Sequence, residues 1–282
     1  MIKLRFLQLS VLSFLLLLGS ISCNNDTDNN TETTNDTASV KENTHMSGVD
    51  IDTKFKLPSP VELYMFLWDA NAKFNKDALN PIDKASKYLT TTSKAINLGI
   101  YSSDLAYCTV FGKNQETFTY FSTTKKLAED LGLTEGFDEA IAKRLDKNIN
   151  NSDSLFQITS DSYSDVTRFM ESQGKGDMLP LLVAGGWIES VYINVKSVGE
   201  FHTDKDIAGI LADQGVLLET LIEYFNSLEE KSDDIKNIIS QFQDLQTSFD
   251  KLYDNDEDEL ITEEQFNELA GKIEKIRNGF VK

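Results

Sequence analysis

The chain has 282 residues, of which 40% are hydrophobic, so it is long and apolar enough to build a sizeable core. Its 46 acidic residues outnumber the 27 basic ones, and the formal net charge is -19. This acidity excludes nucleic acid as a partner, because the chain and a phosphate backbone repel each other. Anionic membrane surfaces are disfavoured for the same reason.

The first 22 residues have the composition of an export signal. Lys3 and Arg5 supply a positively charged start, and Phe6 to Leu18 supply an apolar segment of thirteen positions. A membrane-spanning helix needs roughly 20 apolar residues, so this segment is too short to remain as an anchor. We expect residues 1–22 to be removed and to take no part in the fold.

The segment Gly19-Ser20-Ile21-Ser22-Cys23 follows this signal and resembles the cleavage box of bacterial lipoproteins. The resemblance implies that Cys23 becomes the lipidated first residue of the mature protein. The lipid would hold the protein to a membrane of the bacterial cell envelope, and the outer membrane is the one expected. Ser20 departs from the box, which usually has Leu, Val or Ile there. An ordinary secretory cleavage at the same bond is the alternative, because Ser20 and Ser22 form a small-x-small pair.

Residues 23–55 form a tether that is rich in Asn, Thr and Asp and is predicted to be disordered. A flexible coil of this length reaches about 30 Å, and residues 56–282 then form the folded domain. Removal of Lys3 and Arg5 with the signal changes the net charge to -21 on 260 residues. Once Cys23 is lipidated, Cys108 has no disulfide partner, and its apolar surroundings predict a small core residue.

From residue 56 onward the sequence predicts an all-α domain of about nine helices, packed as an antiparallel multi-helix bundle or as stacked helix pairs. Ser59-Pro60-Val61-Glu62 begins the first helix with an N-cap Ser, a Pro at the first helical position and a Glu that reaches back to the cap. This helix is apolar on almost every side, so we expect Trp68 in the core. The other helices are predicted at about 81–111 with a kink at Gly99, and at about 115–131, 135–149, 153–173, 177–198, 207–225, 235–252 and 262–280.

Met178 to Ile193 is the most apolar stretch beyond the signal. Its sixteen residues and the charge of Glu189 favour a buried helix over a membrane span. Gly185-Gly186 within this stretch predicts a close helix crossing or a kink, because glycine has no side chain to keep neighbouring backbones apart. A functional hinge is the alternative.

An acidic segment between the last two predicted helices resembles an EF-hand calcium loop, in a helix–loop–helix unit at about 235–280. Calcium takes about six to eight oxygen ligands, and such a loop supplies them from alternate positions around a turn. The resemblance implies calcium ligands at Asp254, Asp256, Asp258, Leu260 through its carbonyl group, Thr262 and Gln265.

Two residues of this loop depart from the EF-hand pattern. Glu259 replaces the glycine of the sharp turn, and Gln265 replaces the Glu that binds the ion with both oxygens. Thr262-Glu263-Glu264-Gln265 is also a capping box for the last helix. A capped turn without calcium is therefore the alternative.

The segment from Asn97 to Tyr107, with Tyr120-Phe121 after it, is similar to stretches in uncharacterised all-helical lipoproteins of bacteria. This resemblance implies no particular activity. Asp104 and the nearby tyrosines are candidates for lining a binding groove. Aromatic residues at helical spacing nevertheless favour a core position.

The two histidines do not support an enzymatic function, because His45 lies in the tether and His202 at the start of a helix. A histidine-based triad or metal cluster cannot then be assembled within the domain. We therefore expect a non-enzymatic binding or scaffold lipoprotein, whose partner is an envelope protein or a small ligand. A calcium-binding module is one alternative. A hydrolase of envelope polymers is another, and it requires a cleft with paired carboxylates.

Overall fold

The structure of the protein is a computed structural model, which describes residues 60–134, 137–256 and 259–282. The regular structure of these residues is helical. The chain divides into two units, and all the described residues lie in the second, Met46–Lys282. The expected signal segment, Cys23, the tether, the N-cap Ser59 and the proposed calcium ligand Asp258 lie outside the described residues.

The described residues form ten α-helices and no β-strand, which confirms the all-α prediction of a multi-helix bundle. Short 3-10 helices occur at Lys76–Ala78, Ile82–Lys87, Gly176–Met178 and Lys251–Asp254. The α-helices are α1 Pro60–Asp69, α2 Thr91–Val110, α3 Asn114–Asp130, α4 Glu139–Lys147, α5 Ser152–Ser172, α6 Leu179–Ser197, α7 Lys205–Ala212, α8 Gln214–Ser227, α9 Asp233–Asp250 and α10 Glu263–Phe280.

Capping boxes define the starts of α2 and α10. The Thr90 side chain accepts a hydrogen bond from the backbone N–H of Ser93, and the Ser93 side chain accepts one from the backbone N–H of Thr90. Thr262 and Gln265 form the same reciprocal pair at α10, which confirms the capping box predicted there. These pairs satisfy backbone N–H groups that otherwise lack a partner at a helix start.

The prediction of one helix over residues 81–111 is wrong for residues 81–90. Ile82–Lys87 is a 3-10 helix, and α2 begins only after Thr90. Thr90 has an extended backbone, as an N-cap residue requires, so the helical path is interrupted before it. Gly99, where a kink was expected, lies inside the α2 helix.

The predicted helix at 207–225 is likewise two helices, α7 and α8, which meet at Asp213. Gly209 and Gly215 lie on the two sides of this junction. Glycine lowers helix stability by about 0.5–1 kcal/mol relative to alanine, which favours a break in this region. α8 still packs against α9, the next helix.

α2 and α6 form the centre of the fold and cross where their backbones touch. A Cβ atom on Gly99 would lie 1.9 Å from the carbonyl oxygen of Leu182, and one on Gly185 would lie 1.9 Å from that of Ile96. No side chain fits at either position. The close crossing predicted at Gly185-Gly186 is therefore confirmed, and α6 continues as a helix through both glycines.

α6 is the apolar helix whose burial was predicted. Gly176–Ser197 is long and apolar enough to cross a membrane by length and composition alone, and 89% of the tested segment is buried inside the protein. A core helix of a soluble protein passes the same test, so this finding is weak support for a membrane span.

The tyrosines of α2 and α3, for which the sequence analysis weighed a binding groove against a core position, lie in the core. Tyr101, Tyr107, Tyr120 and Cys108 are buried, as predicted for core positions. Trp68 is not, and that prediction is wrong, because 54% of the residue is exposed. α1 packs against α2, α6 and α7, and the partly exposed Trp68 ring makes an edge contact with the Phe111 ring.

We expect Gly185→Ala to destabilise the protein by at least about 1–3 kcal/mol, because the new methyl group forces α2 and α6 apart. Gly271→Ala is the matched control, since Gly271 lies within α10 and, beyond its own stretch of helix, no described residue comes within 4 Å of the position that an alanine methyl group would take there. The control should be neutral or stabilising by up to about 1 kcal/mol. Urea-unfolding midpoints measure both changes, and equal midpoints for the two variants would contradict the crossing.

Candidate functional site

A buried ion pair links α6 to α10 in the interior of the fold. Arg277 donates two parallel hydrogen bonds to Glu189, from Nε to Oε2 at 2.9 Å and from Nη2 to Oε1 at 2.8 Å. The Glu189 side chain is fully buried, and that of Arg277 is 7% exposed. The guanidinium group also lies over the Tyr192 ring, 4.5 Å from its centroid. This is the bidentate geometry in which arginine best stabilises a buried carboxylate.

Asp104 on α2 is a second buried carboxyl group, and it lies close enough to Glu189 for the two acids to shift each other's pKa. Its Oδ2 accepts a hydrogen bond from the backbone N–H of Asn80 at 3.1 Å, whereas Oδ1 has no donor among the protein groups. Two ionised carboxylates are both acceptors, so this contact becomes a hydrogen bond only when one of them carries a proton.

The proton belongs to Asp104. Burial raises the pKa of Asp104 well above its usual range, the charge of Glu189 raises it further, and Arg277 offsets only part of the shift. Burial also raises the pKa of Glu189, but the hydrogen bonds from Arg277 oppose that shift. Arg277 itself is held charged, because the bonds and charge of Glu189 outweigh the lowering of its pKa by burial. The cluster is thus an ion pair beside a neutral carboxylic acid.

Tyrosine hydroxyl groups fix the chain around Asn80 next to Asp104. Tyr120 donates to the Asn80 carbonyl at 3.0 Å, and Tyr101 donates to the Pro81 carbonyl at 2.7 Å. Asn80 in turn donates to the Tyr88 hydroxyl at 3.1 Å. Burial raises the pKa of Tyr101 and of Tyr120, so both keep their protons and remain donors. These tyrosines are structural parts of the core and do not line an open groove.

The acidic loop leaves its predicted calcium ligands mostly on the surface. Asp254, Asp256 and Leu260 are exposed, and Asp258 lies outside the described residues. Asp254 ends the 3-10 helix that follows α9. Among the described residues, no group of three or more His, Cys, Asp or Glu side chains is placed to hold a metal ion.

Gln265, the last of the predicted calcium ligands, is engaged in other contacts. Its Oε1 accepts hydrogen bonds from the Thr262 N–H at 2.9 Å and from Asn255 Nδ2 at 2.8 Å. Its Nε2 donates to Asn255 Oδ1 at 2.7 Å. These contacts belong to the capped turn, and calcium binding by the loop stays a prediction.

The exposed apolar surface of α1 is a feature that the sequence did not predict. Met65, Phe66 and Trp68 are 46%, 59% and 54% exposed, whereas the neighbouring Tyr64 and Leu67 are fully buried. Large apolar side chains clustered on a surface mark sites of interaction more often than isolated ones do. Methionine and aromatic residues are also enriched at the centres of protein interfaces.

A cleft opens beside this surface, between α1, α5, α6 and α8. It has a cavity volume of about 60 Å³ and is lined by Pro60, Glu62, Leu63, Phe66, Tyr163, Val183, Trp187, Ser190, Gln214 and Leu217. Two of its buried polar groups, the Nε1–H of Trp187 and Oε1 of Glu62, have no hydrogen-bond partner among the described residues. Burial raises the pKa of Glu62.

A buried polar group without a partner costs about 1–3 kcal/mol, so most are paired in native proteins. Here a donor and an acceptor lie unpaired in the lining of the same cleft. The cleft is therefore the best candidate for a ligand site among the described residues.

Sequence reasoning missed both arrangements for identifiable reasons. Asp104 and Glu189 are separated by more than 80 positions in the sequence, and the only signal was that each acid interrupts an apolar helical run. Glu62 was interpreted as a capping residue, and its place in a cleft depends on helices far along the chain. Comparison with models of protein families, with curated proteins and with solved structures finds no match to the chain.

We expect Asp104→Asn to raise the melting temperature at pH 7 by roughly 2–4 °C, equivalent to about 1 kcal/mol. The native state keeps a proton on Asp104 that the unfolded chain releases above a pKa of about 3.9. Folding at neutral pH must therefore take up a proton, and this cost grows as the pH rises from about 4 toward the native pKa. Asparagine keeps the shape and both hydrogen bonds without a proton. The gain should disappear near pH 4, as measured by thermal unfolding across this range.

Glu189→Gln is the contrasting variant, because it leaves the buried guanidinium group of Arg277 without a negative partner. Its melting temperature should fall at pH 7, with a loss of about 3–5 kcal/mol. A loss of stability for Asp104→Asn at pH 7, or a gain that does not depend on pH, would contradict the proton assignment.

Proposed function

We propose that the protein is an envelope lipoprotein, anchored through lipid on Cys23, whose helical domain is a non-enzymatic binding module. The observation that carries the binding role is the cleft beside α1, with its unpaired donor and acceptor and its exposed apolar rim. Phe66 belongs to both features, since it lines the cleft and is 59% exposed. The α1 surface and the cleft thus form one continuous region, which we call the α1 site.

The anchoring part of the proposal is supported by the sequence alone. α1 begins at Pro60, so 36 residues separate it from Cys23. The composition of residues 24–59 predicts a flexible chain, which would span on average about 30–36 Å. In the proposed arrangement the α1 site would then meet partners that lie within a few nanometres of the membrane.

A hydrolase of envelope polymers needs paired carboxylates that a substrate and water can reach. The buried pair of acids, Asp104 and Glu189, is closed to solvent, and Arg277 and the Asn80 backbone already donate hydrogen bonds to it. This pair fits a structural role in the core. The α1 site has one carboxylate, Glu62, and is better suited to binding than to hydrolysis.

Mature protein isolated from native cells should carry an acyl modification on Cys23. Mass spectrometry of its N-terminal peptide measures the added mass of the lipid. A peptide that begins at Cys23 with an unmodified sulfur atom would contradict the anchor and favour the secretory alternative.

Phe66→Ser should weaken binding of the mature chain to envelope fragments about tenfold, because the loss of an anchoring aromatic side chain commonly costs more than 1 kcal/mol. The fragments, which contain membranes and cell-wall polymers, come from the source bacterium and are sedimented with the purified protein. Phe118→Ser is the matched control, since Phe118 on α3 is 41% exposed but does not line the cleft.

The control should bind like the unchanged protein and melt at a similar temperature. Equal binding of the two variants would contradict the assignment of the α1 site as the binding surface.

A further inference from the structure

The α1 site contains groups that restrict the chemistry of its ligand. The indole Nε1–H of Trp187 is a donor only, and the Glu62 carboxylate oxygen is an acceptor. Trp187 is 5% exposed, and its ring edge packs against Phe242, so the donor is held in place by the core. A ligand that satisfies both groups must accept a hydrogen bond from Trp187 and donate one to Glu62.

The charge of the residues that line the cleft restricts the class of ligand further. Glu62 is the one charged residue among the described residues that line the cleft, so an anionic ligand would be repelled with no cation to offset the repulsion. A simple cation would suit Glu62 but has no acceptor for Trp187. The negative group of a zwitterion would suit Trp187 but would meet no positive partner. A neutral group that both donates and accepts hydrogen bonds satisfies Trp187 and Glu62 together. A hydroxyl group is the smallest organic group of this kind.

The shape of the cleft indicates what the hydroxyl groups are attached to. The cavity of about 60 Å³ is large enough for small polar groups such as hydroxyl groups, because about 10–15 Å³ of such space holds one water molecule. Phe66 lines the rim of the cleft, and 59% of this residue is exposed to solvent. A sugar ring combines hydroxyl groups on its edge with an apolar C–H face that packs against an aromatic ring.

We propose that the α1 site binds a neutral sugar, with ring hydroxyl groups between Trp187 Nε1 and Glu62 and the apolar sugar face against Phe66. This inference rests on the proposed binding function and names its ligand class. The neutral saccharide units of an envelope polymer are the corresponding natural ligands.

The chain has two tryptophans, Trp68 and Trp187, so a ¹H–¹⁵N spectrum shows two indole signals. The test titrates ¹⁵N-labelled chain 23–282, produced without lipid, with glucose, galactose, mannose and N-acetylglucosamine in turn. At least one sugar should shift the Trp187 signal in a saturable way, and Trp68→Phe assigns the two signals. Glucuronate, choline and glycine are the anionic, cationic and zwitterionic probes.

Two variants at Glu62 separate a neutral ligand from a charged one. Glu62→Ala removes the acceptor and should weaken sugar binding about tenfold, whereas Glu62→Gln keeps an acceptor oxygen and should bind within about threefold of the unchanged protein. A cationic or zwitterionic ligand would instead be lost in both variants. Both substitutions are at a partly exposed residue, so the fold is retained and Trp187 can remain in place as the reporter.

No shift of the Trp187 signal with any of the four sugars would overturn the proposal, as would a response to choline or glycine alone. Loss of sugar binding in Glu62→Gln would overturn it as well. If these outcomes occurred while Phe66→Ser still weakened binding to envelope fragments and Phe118→Ser did not, the ligand class would be wrong and the binding function would stand. Failure of the proposed function is recognised separately, by equal sedimentation of those two variants.

Discussion

The fold depends on the contact between the backbones of α2 and α6 at their glycines. Because Gly99 and Gly185 lack side chains, the two helices lie closer together than side chains of any size permit. Residues that follow the crossing on each helix are then forced into the same small volume. Asp104 and Glu189 are two such residues, and the contact between two acids is a consequence of the crossing.

That contact explains why the interior also holds an arginine. Two buried acids in contact are stable only if one is protonated and the other is paired with a cation, because burial strongly disfavours an isolated charge. Asp104 takes the proton and Glu189 takes Arg277, which α10 supplies. The last helix of the chain is therefore required at the centre of the fold. Without it Glu189 would be a buried charge with no partner.

The sequence was sufficient for features that depend on local chemistry. The all-α class, the α10 capping box and the glycine crossing followed from periodicity, capping residues and the absence of side chains at Gly185-Gly186. Features that depend on distant parts of the chain were missed. Trp68 was placed in the core because α1 is apolar on nearly every side, but its exposure depends on how many neighbours α1 has. The cleft likewise requires the positions of four helices, which no local pattern specifies.

The buried polar groups of the Glu189 cluster and those of the α1 site differ in their hydrogen bonding, and this difference favours a structural role for the first and a binding role for the second. In the Glu189 cluster, the charged groups pair within the protein, and Asp104 completes its bonding by holding a proton. In the α1 site, the Trp187 donor and the Glu62 acceptor have no partner in the described part of the chain, although Ser190 and Gln214 line the same cleft. An unpaired buried donor lowers stability by about 1–3 kcal/mol, and the packing of the Trp187 ring against Phe242 does not supply the missing acceptor. The Trp187 N–H therefore gains a hydrogen bond only when a group from outside the described residues enters the cleft and accepts it.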